Sequence, residues 1–182
     1  KLKINEDGCI PAVIELAKYC QARAVISKFV LVLLKKAVYR ASMIGDERNW
    51  TIANLLIGRT YWVLNRPKEA VEYLTKGKEK AEELGDSDII TQSAGYIGIY
   101  YFLKGLQNKA IDYLETAVEY AEENDDYMST YEAPILLAYC DVDRGEFHRA
   151  IGKIDFFRHC ALRREDYFFA ALYRAVLGII LW

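Results

Sequence analysis

Few side chains in this sequence are suited to chemistry, and they are poorly assembled for it. His148 and His159 are the only two histidines, eleven residues apart and near one face if helical, with Cys160 adjacent. A metal site needs i, i+4 spacing or a supporting carboxylate, which this pair lacks, so surface or groove histidines are the plainer expectation. Glu82-Glu83, Glu122-Glu123 and Asp125-Asp126 are acid pairs. General acid–base work, however, needs a carboxyl with a raised pKa in a closed pocket, and acids clustered beside a turn serve as caps and solvated charge. Asp86-x-Asp88 supplies two oxygens of a calcium loop but not the remaining ligands or the closing Glu. The sequence contains no G-x-x-x-x-G-K-[ST], G-x-G-x-x-G, G-x-S-x-G or H-E-x-x-H, so the signatures of phosphate cradle, dinucleotide fold, serine nucleophile and zinc protease are absent. No catalytic residue, metal or cofactor is expected.

Composition points the same way. The 182 residues are 53% hydrophobic and 27% charged, with 3 Pro and 11 Gly, which suits a helical chain with a sizeable core. Net charge is −2, giving no electrostatic case for direct nucleic-acid binding. The charge is uneven: +4 over residues 1–46, −6 over 47–126 and zero over 127–182. The longest apolar stretches, Phe29–Leu34 and Ala175–Trp182, fall short of the roughly 20 residues of a membrane span, so a soluble, cytoplasmic chain without membrane contact is expected. Cys9, Cys20, Cys140 and Cys160 form no C-x-x-C pair and read as small core residues of a reducing compartment. The chain opens at Lys1 without Met and stops at Trp182 inside an apolar run, and so reads as a segment of a longer protein.

What must position these residues is a repeat. Asp46, Asp86, Asp126 and Asp166 lie 40 apart, and the same shift lays Gly58 on Gly98, Ala138 and Gly178. It also lays Ala70 on Ala110 and Ala150, Leu74 on Leu114 and Ile154, Tyr61 on Tyr101, and Asn65 on Gly105 and Gly145. Each column has a physical task. Asp46 or Glu47, and Asp86 or Asp88, can cap a following helix by accepting from its free N–H groups. Asn65, Gly105 and Gly145 tolerate the left-handed backbone on which a helix stops, and Pro67 opens the next helix. Ala70, Val71, Leu74, Gly77, Ala81 and Leu84 recur every 3 to 4 residues, a helical stripe. Gly58 and Gly98 in mid-helix imply close helix–helix approach, because glycine there costs about 1 kcal/mol. The unit is a helical hairpin.

Ile57-Gly58-x-x-Tyr61 with Ala70-x-x-x-Leu74, then Ile97-Gly98-x-x-Tyr101 with Ala110-x-x-x-Leu114 and Ala117, resembles the tetratricopeptide repeat. A third copy, Leu137-Ala138 with Ala150-x-x-x-Ile154, has Asp141 in place of the aromatic. The 40-residue period, longer than the usual repeat of about 34, resembles the subtype of bacterial signal-sensing regulators and polarity adaptors. The family's Trp column holds Asn54, Ala94 and Pro134 here, and its terminal Pro is absent. The resemblance implies an all-α, right-handed solenoid of antiparallel hairpins. Its units are 47–86, 87–126 and 127–166, with 167–182 opening a further repeat. Residues 1–9 form a lead-in. Residues 10–46 are either a divergent first hairpin turning at Arg23–Ser27, the preferred reading, or one long helix.

The resemblance further implies that the first helix of each hairpin lines a concave groove. Carried onto this sequence, the groove columns are Ile52, Leu55, Arg59, Trp62 and Val63 on one helix, and Gln92, Gly95, Ile99, Phe102 and Leu103 on the next. Glu132, Ile135, Tyr139, Val142 and Asp143 follow, and Glu15, Tyr19 and Arg23 precede. Aromatics beside an Arg suit a binding hot spot, and an apolar helix or extended segment is the fitting ligand class. The function expected is a non-catalytic scaffold that binds a protein or peptide within a larger signalling or regulatory protein. The alternatives are a ligand- or signal-peptide sensor relaying to an output domain, and homo-oligomerisation through the open C-terminal helix by way of Phe168, Leu172 and Trp182.

Overall fold

A computed structural model describes residues 9–22, 28–124 and 131–182. The described residues form helices and turns, with no strand among them. In chain order the helices are α1 (Cys9–Ala22), α2 (Lys28–Ile44), α3 (Glu47–Val63), α4 (Pro67–Leu84), α5 (Ser87–Leu103), α6 (Gln107–Asn124), α7 (Glu132–Asp143), α8 (Phe147–Arg163) and α9 (Tyr167–Leu181). Residues 10–46 thus hold two helices, α1 and α2, packed on each other; the expected turn at Arg23–Ser27 lies outside the described residues.

The 40-residue period is kept in the helix starts. α3, α5 and α9 begin at 47, 87 and 167, and α4, α6 and α8 at 67, 107 and 147. The stops follow from backbone chemistry: Asn65, Gly105 and Gly145 have φ of 55°, 69° and 75°, the left-handed region where Asn and Gly are least strained. At the starts, Asp46 Oδ1 accepts from the Asn49 N–H at 3.1 Å. Asp86 and Asp166 do the same for Ile89 and Phe169, both at 3.3 Å.

Consecutive helices pack as antiparallel hairpins, and α1, α3, α5, α7 and α9 also touch in succession. The even-numbered helices make no such row, so the odd-numbered helices form the crowded inner layer and the even ones the splayed outer layer. Glycine sets the intimacy of a hairpin. A Cβ at Gly58 would lie 2.6 Å from Leu74 Cγ, and one at Gly77 2.5 Å from Leu55 Cγ. Two leucines thus seat reciprocally on two glycines across the α3–α4 seam. Gly98 receives Leu114 in the next hairpin in the same way.

α7 breaks the register. It starts five residues after position 127, where the period would place it, and has 12 residues against 17 in α3 and α5. Pro134 supplies the reason. Three residues into α7 its missing N–H is one the first turn leaves unbonded anyway, whereas a helix begun at 127 would hold it in the interior and break there.

Candidate functional site

The inner row is not an open groove along its length. In α3 every residue from Thr51 to Tyr61 is buried, so no solvent-facing stripe runs down its middle. This corrects the expectation for four of the groove residues. Leu55 is fully buried because it seats on Gly77, and Ile52 and Ile99 lie in the core between neighbouring helices. Arg59 is only 2% exposed.

Arg59 is instead the centre of a polar plug. Its Nε donates to Glu132 Oε2 at 2.5 Å, and its Nη1 donates to Gln21 Oε1. Gln21, fully buried at the end of α1, also donates through Nε2 to the Leu56 carbonyl at 2.8 Å and to Thr60 Oγ1 at 2.5 Å. The Tyr131 ring covers the guanidinium, 5.0 Å from ring centre to Cζ. Tyr173 Oη donates to the Tyr131 carbonyl at 3.1 Å. Side chains of α1, α3 and α9 therefore converge on Tyr131 and Glu132 at the late start of α7. Burial alone would lower the Arg59 pKa, but the Glu132 carboxylate outweighs it and the net shift is upward, keeping the cation charged. Burial pushes the Tyr131 hydroxyl well above its ordinary value, and the adjacent Glu132 charge pushes the same way.

Beyond the plug, towards the ends of the odd-numbered helices, the inner face remains partly open. Trp62 and Phe102 are half-buried and meet edge to face, with ring centres 6.0 Å apart. Leu103, Ile135, Tyr139 and Val142 are half-buried, and Val63 and Asp143 are exposed. Glu132 keeps part of its carboxylate in solvent while bonded to Arg59. At the other end of the row Tyr19 and Glu15 are exposed on α1. The Gln92 side chain and Arg23 lie outside the described residues. The structure thus joins Trp62 to Phe102 and Arg59 to Glu132. Sequence reasoning missed Gln21 and Tyr131; the signal was Pro134, which fits a helix best in its first turn and so sets Tyr131 at the N-cap of α7.

The other chemistry-bearing residues stay dispersed. His159 is exposed on α8, its Nε2 3.5 Å from Asp155 Oδ2. The four cysteines are free, with Cys140 and Cys160 buried. Among the described residues no group of His, Cys, Asp or Glu is placed to hold a metal, and no helix is long and apolar enough to cross a membrane.

Comparison with known proteins agrees with this architecture. The family model described as the tetratricopeptide repeat matches residues 52–79, spanning most of α3 and α4. Among solved structures the chain is similar to a protein of Podosopora anserina described as a kinesin light chain with nearly identical TPR-like repeats. The identity is 15% and the TM-score 0.58, over 97% of this chain and 87% of that one. A single-substitution variant of the same protein gives 16% identity and a TM-score of 0.58, over 94% and 84% of the two chains. No curated protein matches the chain. Residues 52–79 match the tetratricopeptide repeat, and the chain has the all-α fold of the TPR-like helical arrays it is similar to.

Proposed function

We propose that this chain is a non-catalytic scaffold that binds an apolar helix or extended peptide on the open part of its inner face. The chain divides for this purpose into a first hairpin (10–46), three repeats (47–86, 87–126, 127–166) and an opening helix (167–182). The observation that carries the reading is the Trp62–Phe102 pair. Two large aromatics from successive repeats touch yet stay partly accessible, and half-buried aromatics on a rigid framework are what interface anchors are made of. Tyr139, Ile135 and Val142 extend the strip onto α7. The Arg59–Glu132 plug forms its floor and sets the spacing of the helices rather than contacting the ligand.

The test is selection of peptides from a random display library against the whole chain, followed by binding to point variants. Trp62→Ala, Phe102→Ala and Tyr139→Ala should each weaken a selected peptide by about tenfold or more, as truncated anchors do. Phe156→Ala, at an exposed site on α8, should leave it unchanged. Equal binding by all four variants would move the ligand site off the inner face.

A further inference from the structure

The turns that close α3 onto α4, α5 onto α6 and α7 onto α8 lie along one edge of the array. Two of them touch: Gln107 Nε2 donates to Asp143 Oδ2 at 2.9 Å, and Arg144 Nη2 donates to Asn108 Oδ1 at 2.7 Å. This edge is cationic although residues 47–126 carry a net −6. Lys68, Lys104, Lys109 and Arg144 are exposed there, and the ion pairs among the described residues include none of them. Tyrosine faces hold two of them in place: Lys104 Nζ lies 5.9 Å from the Tyr100 ring centre and Lys109 Nζ 5.5 Å from that of Tyr101. A ring orients a cation without neutralising it. Of the acids on this edge, Glu69 is paired with Arg66 and Glu146 with Arg149, while Asp143, bonded to the neutral amide of Gln107, keeps its charge and is outnumbered by the four cations.

The opposite edge is mixed: α8 ends there in exposed Arg163 and Arg164, which line one surface pocket with Glu122, and the ends of α4 and α6 are acidic. α4 ends in Glu82-Glu83 and α6 in Glu122-Glu123, all four exposed. Around α4 these acids are met by Lys78 and Lys80, and Arg48 pairs with Asp86. On α6, Glu119, Glu122 and Glu123 are exposed on the last two turns, and the ion pairs among the described residues include none of them. α6 also places its charges against its own dipole. Lys109 stands in a first turn that has no acid, and two glutamates stand in a last turn that has no base. A helix prefers anions at its N-terminus and cations at its C-terminus, so the stability of α6 does not account for this pattern.

We propose that the basic turn edge docks on the acidic end of α6 in a second copy of this chain, so that copies associate edge to edge. Cations left unneutralised on one edge face acids left unneutralised on the other, in comparable number, and a net charge of −2 raises little long-range repulsion between copies. Exposed Leu64, Leu106 and Phe147 lie among the cations, a mixture that suits a protein surface rather than a phosphate backbone. The two surfaces differ, so the contact is heterologous and builds rings or open chains.

Sedimentation velocity on the whole chain tests this at about 0.01 M and about 1 M salt, between which the screening length falls from about 30 Å to about 3 Å. The expected result is association at low salt that collapses to the 20.9 kDa monomer at high salt. Lys68→Glu/Lys104→Glu/Lys109→Glu, and separately Glu119→Lys/Glu122→Lys/Glu123→Lys, should each be monomeric at low salt. An equimolar mixture of the two variants should associate again, because each then carries the edge that the other lacks. The reversals at 68, 109, 122 and 123 follow the helix dipoles, so circular dichroism should show both variants folded. A wild-type monomer at low salt, association indifferent to both reversals, or a mixture that stays monomeric would each overturn the proposal. So would a monomeric wild type that binds a polyglutamate peptide or a DNA duplex through Lys104 and Lys109, which would assign the edge to that ligand instead.

Discussion

Asp141 Oδ2 and Lys153 Nζ lie 2.8 Å apart at the positions where the two preceding hairpins stack tyrosines. Tyr61 meets Tyr73 with ring centres 5.5 Å apart, and Tyr101 meets Tyr113 at 5.3 Å. Each pair spans twelve residues, and each is displaced from the last by 40. The third hairpin has therefore replaced an aromatic pair by an ion pair, both partners changed together. Asp141 is almost fully buried, with Arg149 a second cation at 3.7 Å.

Removing one partner of this pair strands a buried charge. Lys153→Met should cost about 1–3 kcal/mol, held to that range because Arg149 remains nearby. Asp141→Tyr/Lys153→Tyr, which restores the pair of the other hairpins, should cost less than the two single changes added. A double-mutant cycle by urea unfolding reads the coupling, expected between about 0.5 and 3 kcal/mol. Strict additivity would mean that the two side chains do not support each other.

The mid-helix glycines should respond to alanine with opposite signs. A Cβ at Gly58 meets Leu74 Cγ at 2.6 Å and the Leu74 backbone nitrogen at 2.9 Å, so α3 and α4 must part, at about 1–3 kcal/mol. Gly98→Ala should be milder, because its contact below 3 Å is with the movable Leu114 side chain and the backbone nitrogen is 3.4 Å away. At Gly178, in the same column, nothing lies within 4 Å. Helix propensity alone then acts, and Gly178→Ala should gain up to about 1 kcal/mol. Thermal unfolding of the three variants should rank them in that order, and a destabilised Gly178→Ala would contradict it.

What the sequence made legible is what is local. The stops at 65, 105 and 145 rest on the chemistry of one residue and its neighbours within a turn, as do the caps, where the choice between Asp46 and Glu47 and between Asp86 and Asp88 falls on Asp46 and Asp86. The lining of the inner face is not local. Whether Arg59 faces solvent depends on Glu132, 73 residues away, and on Gln21, 38 residues away in the other direction. Both partners lie in helices whose own repeat pattern is weakest. The burial of Leu55 was within reach, since Gly77 stands opposite it in the seam where Gly58 stands opposite Leu74, and a glycine facing a leucine twice is a pattern. Tyr131 was harder to place, because the period puts it inside a helix whereas it stands at the N-cap of α7, three residues before Pro134.

Arg59 now belongs to the framework rather than to a binding surface. Arg59→Glu sets two carboxylates against each other in a buried site, and Arg59→Leu leaves Glu132 without its cation, so each should cost about 3–5 kcal/mol. Arg59→Leu/Glu132→Leu removes both charges and should recover much of that loss, because replacing a whole buried pair by apolar side chains is often close to neutral. Chemical denaturation decides the matter. Arg59→Glu that unfolds at the wild-type denaturant concentration would show the plug to be dispensable.

Alkaline pH offers a second way into the plug. Burial holds the hydroxyls of Tyr131 and Tyr173 well above the ordinary tyrosine value, Glu132 adding to the effect at Tyr131 and Tyr131 itself at Tyr173. In the unfolded chain both ionise near the ordinary value of about 10. A group whose pKa is raised by folding contributes stability that is complete below its unfolded pKa and is lost as pH rises towards its folded one. The chain should therefore keep its full stability up to about pH 10 and lose it steeply above. Tyr173→Phe gives up the 3.1 Å bond to the Tyr131 carbonyl and should be less stable at neutral pH by about 1 kcal/mol, yet lose less on going alkaline, because one of the raised hydroxyls is gone. Tyrosinate absorbance followed alongside circular dichroism gives the check. Late-titrating tyrosines should ionise only as helix is lost, and ionisation of all fourteen with the helices intact would place Tyr131 and Tyr173 in contact with solvent.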